Sequence, residues 1–244
     1  MNIFIWLPLV IVIWYLIVKR GDIACFTARI DFNKGNPDLA LKKLEKAEKT
    51  GKINISNKML LGYLYLRNGK LDKARTTLAE ASMMPGKMPV KNRIKAMRAL
   101  VMWKEGYIKD AIESLENLIA DFKNTTVYQD LGLLYILDKD KEKALSFNLE
   151  AYDYNSDDMI IMDNLAEAYV LCGMNDEAEK MYEKLLEMEP HFPEAYYGYG
   201  KLLCEKGEKE KGIEYMEKAL DKRFSFLSVM QKDEVLQLIE RYKG

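Results

Sequence analysis

Residues 159–190 read MIIMDNLAEAYVLCGMNDEAEKMYEKLLEMEP. Apolar side chains recur at intervals of three and four residues on either side of Gly173, and this spacing predicts two amphipathic helices joined by a turn. The small residue Ala166 of the first helix stands 34 residues after Gly132 and 34 residues before Gly200. A small residue at a fixed period of this length indicates a stack of similar helix pairs rather than a globule built around one pocket.

Alignment on the recurring small residue divides most of the chain into six predicted windows of two helices each. The windows are residues 21–54, 55–91, 92–124, 125–158, 159–192 and 193–226. The second window is three residues longer than the period, and we assign the extra length to a loop with the sequence SMMPGKMPVK. Residues 227–244 continue with one more amphipathic helix, which is predicted to cap the stack with a polar outer face. The predicted fold class is therefore an all-α solenoid.

These windows resemble the tetratricopeptide repeat, whose pattern runs from a bulky residue through Leu-Gly, Tyr, Ala, a second bulky residue and Ala to Pro. The fourth window carries Tyr128, Leu131, Gly132, Tyr135, Ala144 and Ala151. The fifth window carries Leu165, Ala166, Tyr169, Ala178, Tyr182 and Pro190. In proteins similar to this one, the first helix of each repeat lines a groove that holds a partner segment. The resemblance therefore implies protein or peptide partners.

The phase of the repeats places eleven side chains in this groove. They are Arg29, Tyr63, Arg93, Met97, Gln129, Asp130, Asp163, Asn164, Glu167, Tyr197 and Lys201. The part near Arg29 and Arg93 is expected to be apolar and basic, whereas Asp130, Asp163 and Glu167 make the later part acidic. Such a gradient would orient a peptide of complementary charge. The alternative is that these are polar residues on a solvated face.

Some members of this repeat family use a Lys/Asn/Arg clamp to grip a C-terminal carboxylate. In this sequence only Asn164 stands at a clamp position, while Gln129, Leu133, Glu194 and Gly198 occupy the others. Recognition of a chaperone's acidic tail is therefore disfavoured.

Residues 3–18, IFIWLPLVIVIWYLIV, carry no charge. As a helix they would rise about 24 Å, somewhat less than a hydrocarbon core of about 30 Å, and Lys19 and Arg20 would reach the headgroups. We therefore predict a single membrane anchor over residues 1–20. A cleaved signal peptide is the alternative, but it requires positive charge before the apolar stretch. Because the positive pair follows the stretch, the repeats are predicted to be cytoplasmic, and the reverse orientation is the remaining possibility.

Composition argues against several classes of function. Lys and Arg total 37 against 38 Asp and Glu, so no excess charge attracts nucleic acid. The three cysteines form no CxxC pair, and His191, the single histidine, has no ligand-type neighbours at metal-site spacing. No phosphate-binding, zinc-protease or nucleophile-elbow motif occurs. We expect no enzyme activity, no cofactor and no metal.

Two functions are compatible with these features. The first is a membrane-tethered adaptor that gathers partner proteins at the cytoplasmic face of a membrane. The second is a regulator or assembly factor in cell-envelope biogenesis or membrane protein quality control. The second is suggested because the layout is similar to that of the lipopolysaccharide assembly protein B family, which joins an N-terminal membrane helix to cytoplasmic repeats. That family also has a C-terminal rubredoxin-like module with paired CxxC motifs, and this sequence has no such module.

Overall fold

The computed structural model describes residue 14, residues 20–51 and residues 53–244. The predicted anchor of residues 1–20 lies outside these residues except for Trp14 and Arg20. Within the described part, no helix combines the length and the apolar character that crossing a membrane requires.

The part of the chain that the structure describes is built from helices and contains no strand, which confirms the all-α prediction. Helix α1 covers residues 20–33. The others are α2 (Pro37–Glu48), α3 (Ile55–Arg67), α4 (Leu71–Met83), α5 (Met88–Lys104), α6 (Ile108–Ile119), α7 (Thr125–Leu137), α8 (Lys141–Tyr154), α9 (Met159–Cys172), α10 (Asn175–Leu186), α11 (Pro193–Glu205), α12 (Lys209–Leu220) and α13 (Lys232–Lys243). The boundaries of the six windows remain a prediction.

The chain divides into two compact units, residues 1–98 and residues 99–244, which we call the N-terminal unit and the C-terminal unit. In the N-terminal unit, α3 packs against both α2 and α4. In the C-terminal unit, each helix from α6 to α13 packs against the next one along the chain. In addition, α9 contacts both α7 and α11. The first helices of three successive pairs therefore lie side by side in one layer.

The residues at which several helices begin and end are explained by the local sequence. Asp158 caps α9, since its Oδ1 accepts hydrogen bonds from the backbone N–H groups of Ile160 and Ile161, both at 3.0 Å. Pro193 occupies the first turn of α11, where its missing N–H costs nothing. Gly173 ends α9 with a φ of 75°, a left-handed conformation that glycine adopts without strain.

The stretch predicted as a lengthened loop, residues 82–91, is largely helical. Helix α4 runs to Met83 and α5 begins at Met88, so the extra residues lengthen α5 rather than the loop. Pro85 and Gly86 interrupt the helices, whereas Pro89 lies in the first turn of α5, a position that proline tolerates. The sequence interpretation was wrong because the repeat period shows that a window is longer but not whether the extra residues lengthen a loop or a helix.

Close approach of the helices in a pair depends on small side chains. In α11 and α12, a Cβ added to Gly200 would lie 2.6 Å from the backbone oxygen of Gly212. In α3, a Cβ on Gly62 would lie 2.6 Å from Cγ of Leu78 in α4. Ala166, at the equivalent place in α9, is fully buried. The recurring small residue thus marks the point where the two helices of a pair come closest.

Helix α13 packs on the end of the C-terminal unit. Val235 and Ile239 are buried against Met216 and Met230, while Leu238 and Tyr242 are partly buried at the edge of the same cluster. The opposite side of α13 is exposed and polar apart from Leu236. A terminal helix of this kind shields the apolar edge of the last helix pair from water.

Candidate functional site

The predicted groove residues of the N-terminal unit lie on α1, α3 and α5. Arg29 of α1 is exposed, and its Nε donates a 2.7 Å hydrogen bond to Oδ1 of Asn57 in α3. Tyr63 of α3 is half-buried and packs edge-on against Phe32, with ring centroids 6.2 Å apart. These contacts connect α1 and α3. The other two residues of this set lie on α5 and are Arg93, which is exposed, and Met97, which is half-buried.

The seven predicted groove residues of the C-terminal unit lie on the layer formed by α7, α9 and α11. We call this set the polar row; it consists of Gln129, Asp130, Asp163, Asn164, Glu167, Tyr197 and Lys201. The Asn164 side chain donates a 2.8 Å hydrogen bond to the backbone oxygen of Gln129. The Gln129 side chain in turn donates a 2.7 Å hydrogen bond to Asp158. These bonds fix α7 against α9, so the structure brings the first part of the row together.

Two members of the polar row are much less exposed than a solvated face would allow. Asp163 is only 7% exposed and Asn164 only 3%. The alternative that the predicted residues are simply surface polar groups is therefore wrong for this pair. Burying a carboxylate is costly unless it is hydrogen-bonded or paired with a cation, so the surroundings of Asp163 are the informative part of the site.

The carboxylates of the row have raised pKa values. Burial, together with the nearby Glu167 and Glu194, raises the pKa of Asp163 well above its ordinary value. Burial also raises the pKa of Glu167, although Lys201 opposes this effect. Burial alone raises the pKa of Asp130 to about 8. All three groups thus retain protons at pH values where exposed carboxyl groups would be ionised.

Glu167 is held in place from the second helix of its own pair. The hydroxyl of Tyr182 in α10, a fully buried residue, donates a 2.5 Å hydrogen bond to Oε1 of Glu167. Gly198 of α11 lies directly beside this bond, because an added Cβ would overlap the Tyr182 hydroxyl and lie 2.5 Å from Oε1 of Glu167. The absence of a side chain at Gly198 is therefore what makes room for the bond.

Replacing Gly198 with alanine should reduce the free energy of unfolding by about 1–3 kcal/mol, because the added methyl group overpacks this contact. The cost should fall in a Tyr182→Phe background, where the hydroxyl is gone. Urea unfolding of the wild type, both single variants and the double variant would measure the coupling between the two positions, expected to be about 0.5 kcal/mol or more. If the changes in the free energy of unfolding of the two single variants add up to that of the double variant, the methyl group and the hydroxyl do not compete for space.

Two further charged residues act on this region, and sequence reasoning placed Glu194 at a clamp position but did not connect Lys104 to the row. Glu194, at the start of α11, interacts electrostatically with both Asp163 and Lys104. Lys104, at the end of α5, has its Nζ 3.9 Å from the ring centroid of Trp103, and it donates a 3.2 Å hydrogen bond to the backbone oxygen of Ser228. Glu194 stands one helical turn before Gly198, and the repeat pattern placed both at clamp positions without predicting the interaction of Glu194 with Asp163. The Lys104 contact joins residues 124 positions apart, and no local pattern predicts it.

Comparison with known proteins supports the interpretation of the repeats. Residues 173–225 match the tetratricopeptide repeat family model. A stretch of 190 residues, 75% of the chain, is 27% identical to the transcription activator GutR of Bacillus subtilis (strain 168). The chain spans only 20% of the length of GutR, so this similarity does not transfer the activity of the whole protein.

Two solved structures have a similar fold. A thermophilic tetratricopeptide repeat protein of Thermus thermophilus has a TM-score of 0.63 and 22% identity, covering 78% of this chain and 97% of its own. The type IV pilus biogenesis factor PilW has a TM-score of 0.64 and 14% identity, covering 89% of this chain and 99% of its own. At such identities the similarity establishes the fold alone. Taken with the match over residues 173–225, it supports the tetratricopeptide repeat family for this chain.

Proposed function

We propose that this protein is a membrane-tethered adaptor that binds partner proteins or peptides along the first helices of its repeats. The observation that carries the proposal is the layer of α7, α9 and α11, whose polar row is fixed by hydrogen bonds between helices. Tetratricopeptide repeats are protein–protein interaction folds, and stacked repeats offer an extended surface for such binding. We propose no enzymatic role for it.

The membrane attachment and the cytoplasmic location are part of this proposal. Their support is the uncharged stretch of residues 3–18, followed by Lys19 and Arg20. Arg20 is already helical, and Gly21 is buried against Thr50 in the N-terminal unit. Because the uncharged stretch ends only two residues before Arg20, an anchor there would hold the first repeat close to the bilayer surface.

The second candidate is a regulator or assembly factor in envelope biogenesis or membrane protein quality control. Its support is the same layout of an uncharged stretch followed directly by repeats. This candidate differs from a general adaptor in the identity of its partner, which would be a membrane protease or an envelope-building enzyme.

Site-specific photo-crosslinking in cells tests the proposal. A benzoylphenylalanine at Lys201, in the polar row, is compared with one at Lys180, which is exposed on the second helix α10. We expect discrete adducts from position 201 in the membrane fraction and none of the same species from position 180. Mass spectrometry of the adducts then distinguishes the two candidates. Equal adducts from both positions, or full-length protein that leaves the membrane pellet in alkaline carbonate, would contradict the proposal.

A further inference from the structure

The later part of the polar row contains a carboxylate with an incomplete set of partners. Asp163 is 7% exposed, and among the described residues its Oδ1 is buried without a hydrogen-bond donor. Glu167 follows one turn later on α9, and Glu194 lies close enough on α11 for its charge to act on Asp163. Leaving a buried acceptor without a donor is unfavourable, and adjacent like charges add to the cost. The cluster of Asp163, Glu167 and Glu194, here called the acidic cluster, is therefore a site where a further cation would be favourable.

Two lysines that act electrostatically on members of the acidic cluster are engaged with other groups. Nζ of Lys201 lies 3.8 Å from Oε1 of Glu205, on its own helix. Nζ of Lys104 donates to the backbone oxygen of Ser228 and lies over the Trp103 ring. Neither lysine donates to Oδ1 of Asp163. The protein's own lysines thus reduce the charge of the region without completing the bonding of this carboxylate.

The chemistry of the acidic cluster favours an organic cation over a metal ion. In the part of the chain covered by the structure, no group of three or more His, Cys, Asp or Glu side chains is placed to hold a metal. A guanidinium group presents five N–H donors in a planar fork and can bond two carboxylates at once, whereas an ammonium group acts as a point charge. Arginine is accordingly the side chain that best matches several carboxylates on adjacent helices.

We propose that the acidic cluster binds an arginine side chain of the partner, so that the segment docking on α9 and α11 is basic at its centre. This inference rests on the proposed function, because it assumes that the partner lies along the polar row. It specifies in addition that the partner's docking segment carries an arginine. The partner's guanidinium bonds the half-buried carboxylates of Glu167 and Glu194 and adds positive charge beside Asp163, while the Tyr182 hydroxyl holds Oε1 of Glu167 in place.

A thermodynamic consequence follows from the raised pKa values of Asp163 and Glu167. Binding of a cation favours the ionised carboxylates, so the protein should release protons when the arginine binds. The charged and titratable groups that act on these carboxylates or on their neighbours are Lys104, Tyr182, Glu194, Tyr197, Lys201, Glu205, Glu234 and Tyr242.

The test uses the full chain in detergent and fluorescein-labelled peptides of alanine with three spaced arginines, measured by anisotropy. The matched peptide carries citrulline, the uncharged analogue of arginine, and a third peptide carries lysine. We expect the arginine peptide to bind about tenfold more tightly than the citrulline peptide, with the lysine peptide between them. A D163N/E167Q variant should lose at least about tenfold in affinity, whereas Asp153→Asn, an exposed carboxylate on α8, should not.

Equal binding of the arginine and citrulline peptides, or equal binding by wild type and D163N/E167Q, would overturn the proposal.

Calorimetry of the wild type in two buffers of different ionisation enthalpy gives a test that needs no variant. Proton release with the arginine peptide is expected, and its absence contradicts the inference. If the photo-probe at position 201 forms adducts in cells but the peptides show no preference for arginine, the proposed adaptor function stands and only the proposed arginine site is wrong. Absence of both results would remove both proposals.

Discussion

Replacing Gly200 with alanine is expected to lower the free energy of unfolding by about 2–3 kcal/mol. The added Cβ would lie 2.6 Å from the backbone oxygen of Gly212, 2.8 Å from Cγ of Met216 and 3.0 Å from the backbone nitrogen of Met216. A backbone atom cannot turn aside as a side chain can, so α11 and α12 would have to separate. Alanine is the better helix former by about 1 kcal/mol, so a net loss of stability would reflect packing and not propensity.

Urea unfolding of the full chain measures this effect. Gly244→Ala serves as the control, because a Cβ at the end of the chain meets its nearest atom at 3.8 Å, an ordinary van der Waals distance. Stability equal to or above that of the wild type for Gly200→Ala would mean that α11 and α12 do not pack backbone to backbone. The repeat would then need another explanation for its small residue.

Replacing Asp130 with asparagine is expected to stabilise the protein at alkaline pH and to have no effect at acid pH. The pKa of Asp130 rises from an ordinary 3.8 to about 8 in the folded chain. Between these values the folded state binds more protons than the unfolded state, so stability falls as pH rises. The favourable contribution is complete below pH 3.8 and lost above pH 8. We expect Asp130→Asn to gain at least about 2 kcal/mol near pH 9 relative to wild type.

Denaturant unfolding at both pH values tests this expectation. Only the difference between Asp130→Asn and wild type is used, because other buried carboxyl groups contribute the same pH dependence to both proteins. Asp153→Asn is the control, since Asp153 is exposed. A difference between Asp130→Asn and wild type that is the same under acid and alkaline conditions would contradict the raised pKa of Asp130.

The sequence predicted the helical architecture well because its strongest signals are local. The three-and-four-residue spacing of the apolar side chains and the helix-ending Gly173 each act within a few residues of their own positions. The error at residues 82–91 has another origin, since the repeat period shows that a window is longer but not whether the extra residues lengthen a loop or a helix. A proline breaks a helix in the interior and fits its first turn, so the meaning of Pro89 depended on where α5 begins.

The site was predicted less completely, because the properties of a polar side chain depend on what packs over it. The phase of the repeats predicted that Asp163 and Asn164 lie on the groove face of the first helices, but it could not show that both side chains would be buried. Glu194 could be placed beside the row from the repeat pattern, as a clamp position. Lys104 could not, because its contact with Ser228 depends on how helices far apart in sequence pack together in the C-terminal unit.

The central claim is that the layer of first helices is the surface on which partners dock. Photo-crosslinking from Lys201 and Lys180 in living cells tests it most directly, because the two lysines lie on the first and second helices of neighbouring pairs in the same unit. The account predicts defined adducts from position 201 and their absence at position 180. Partner adducts that form at position 180 and not at position 201 would place the binding surface on the second helices and contradict the account.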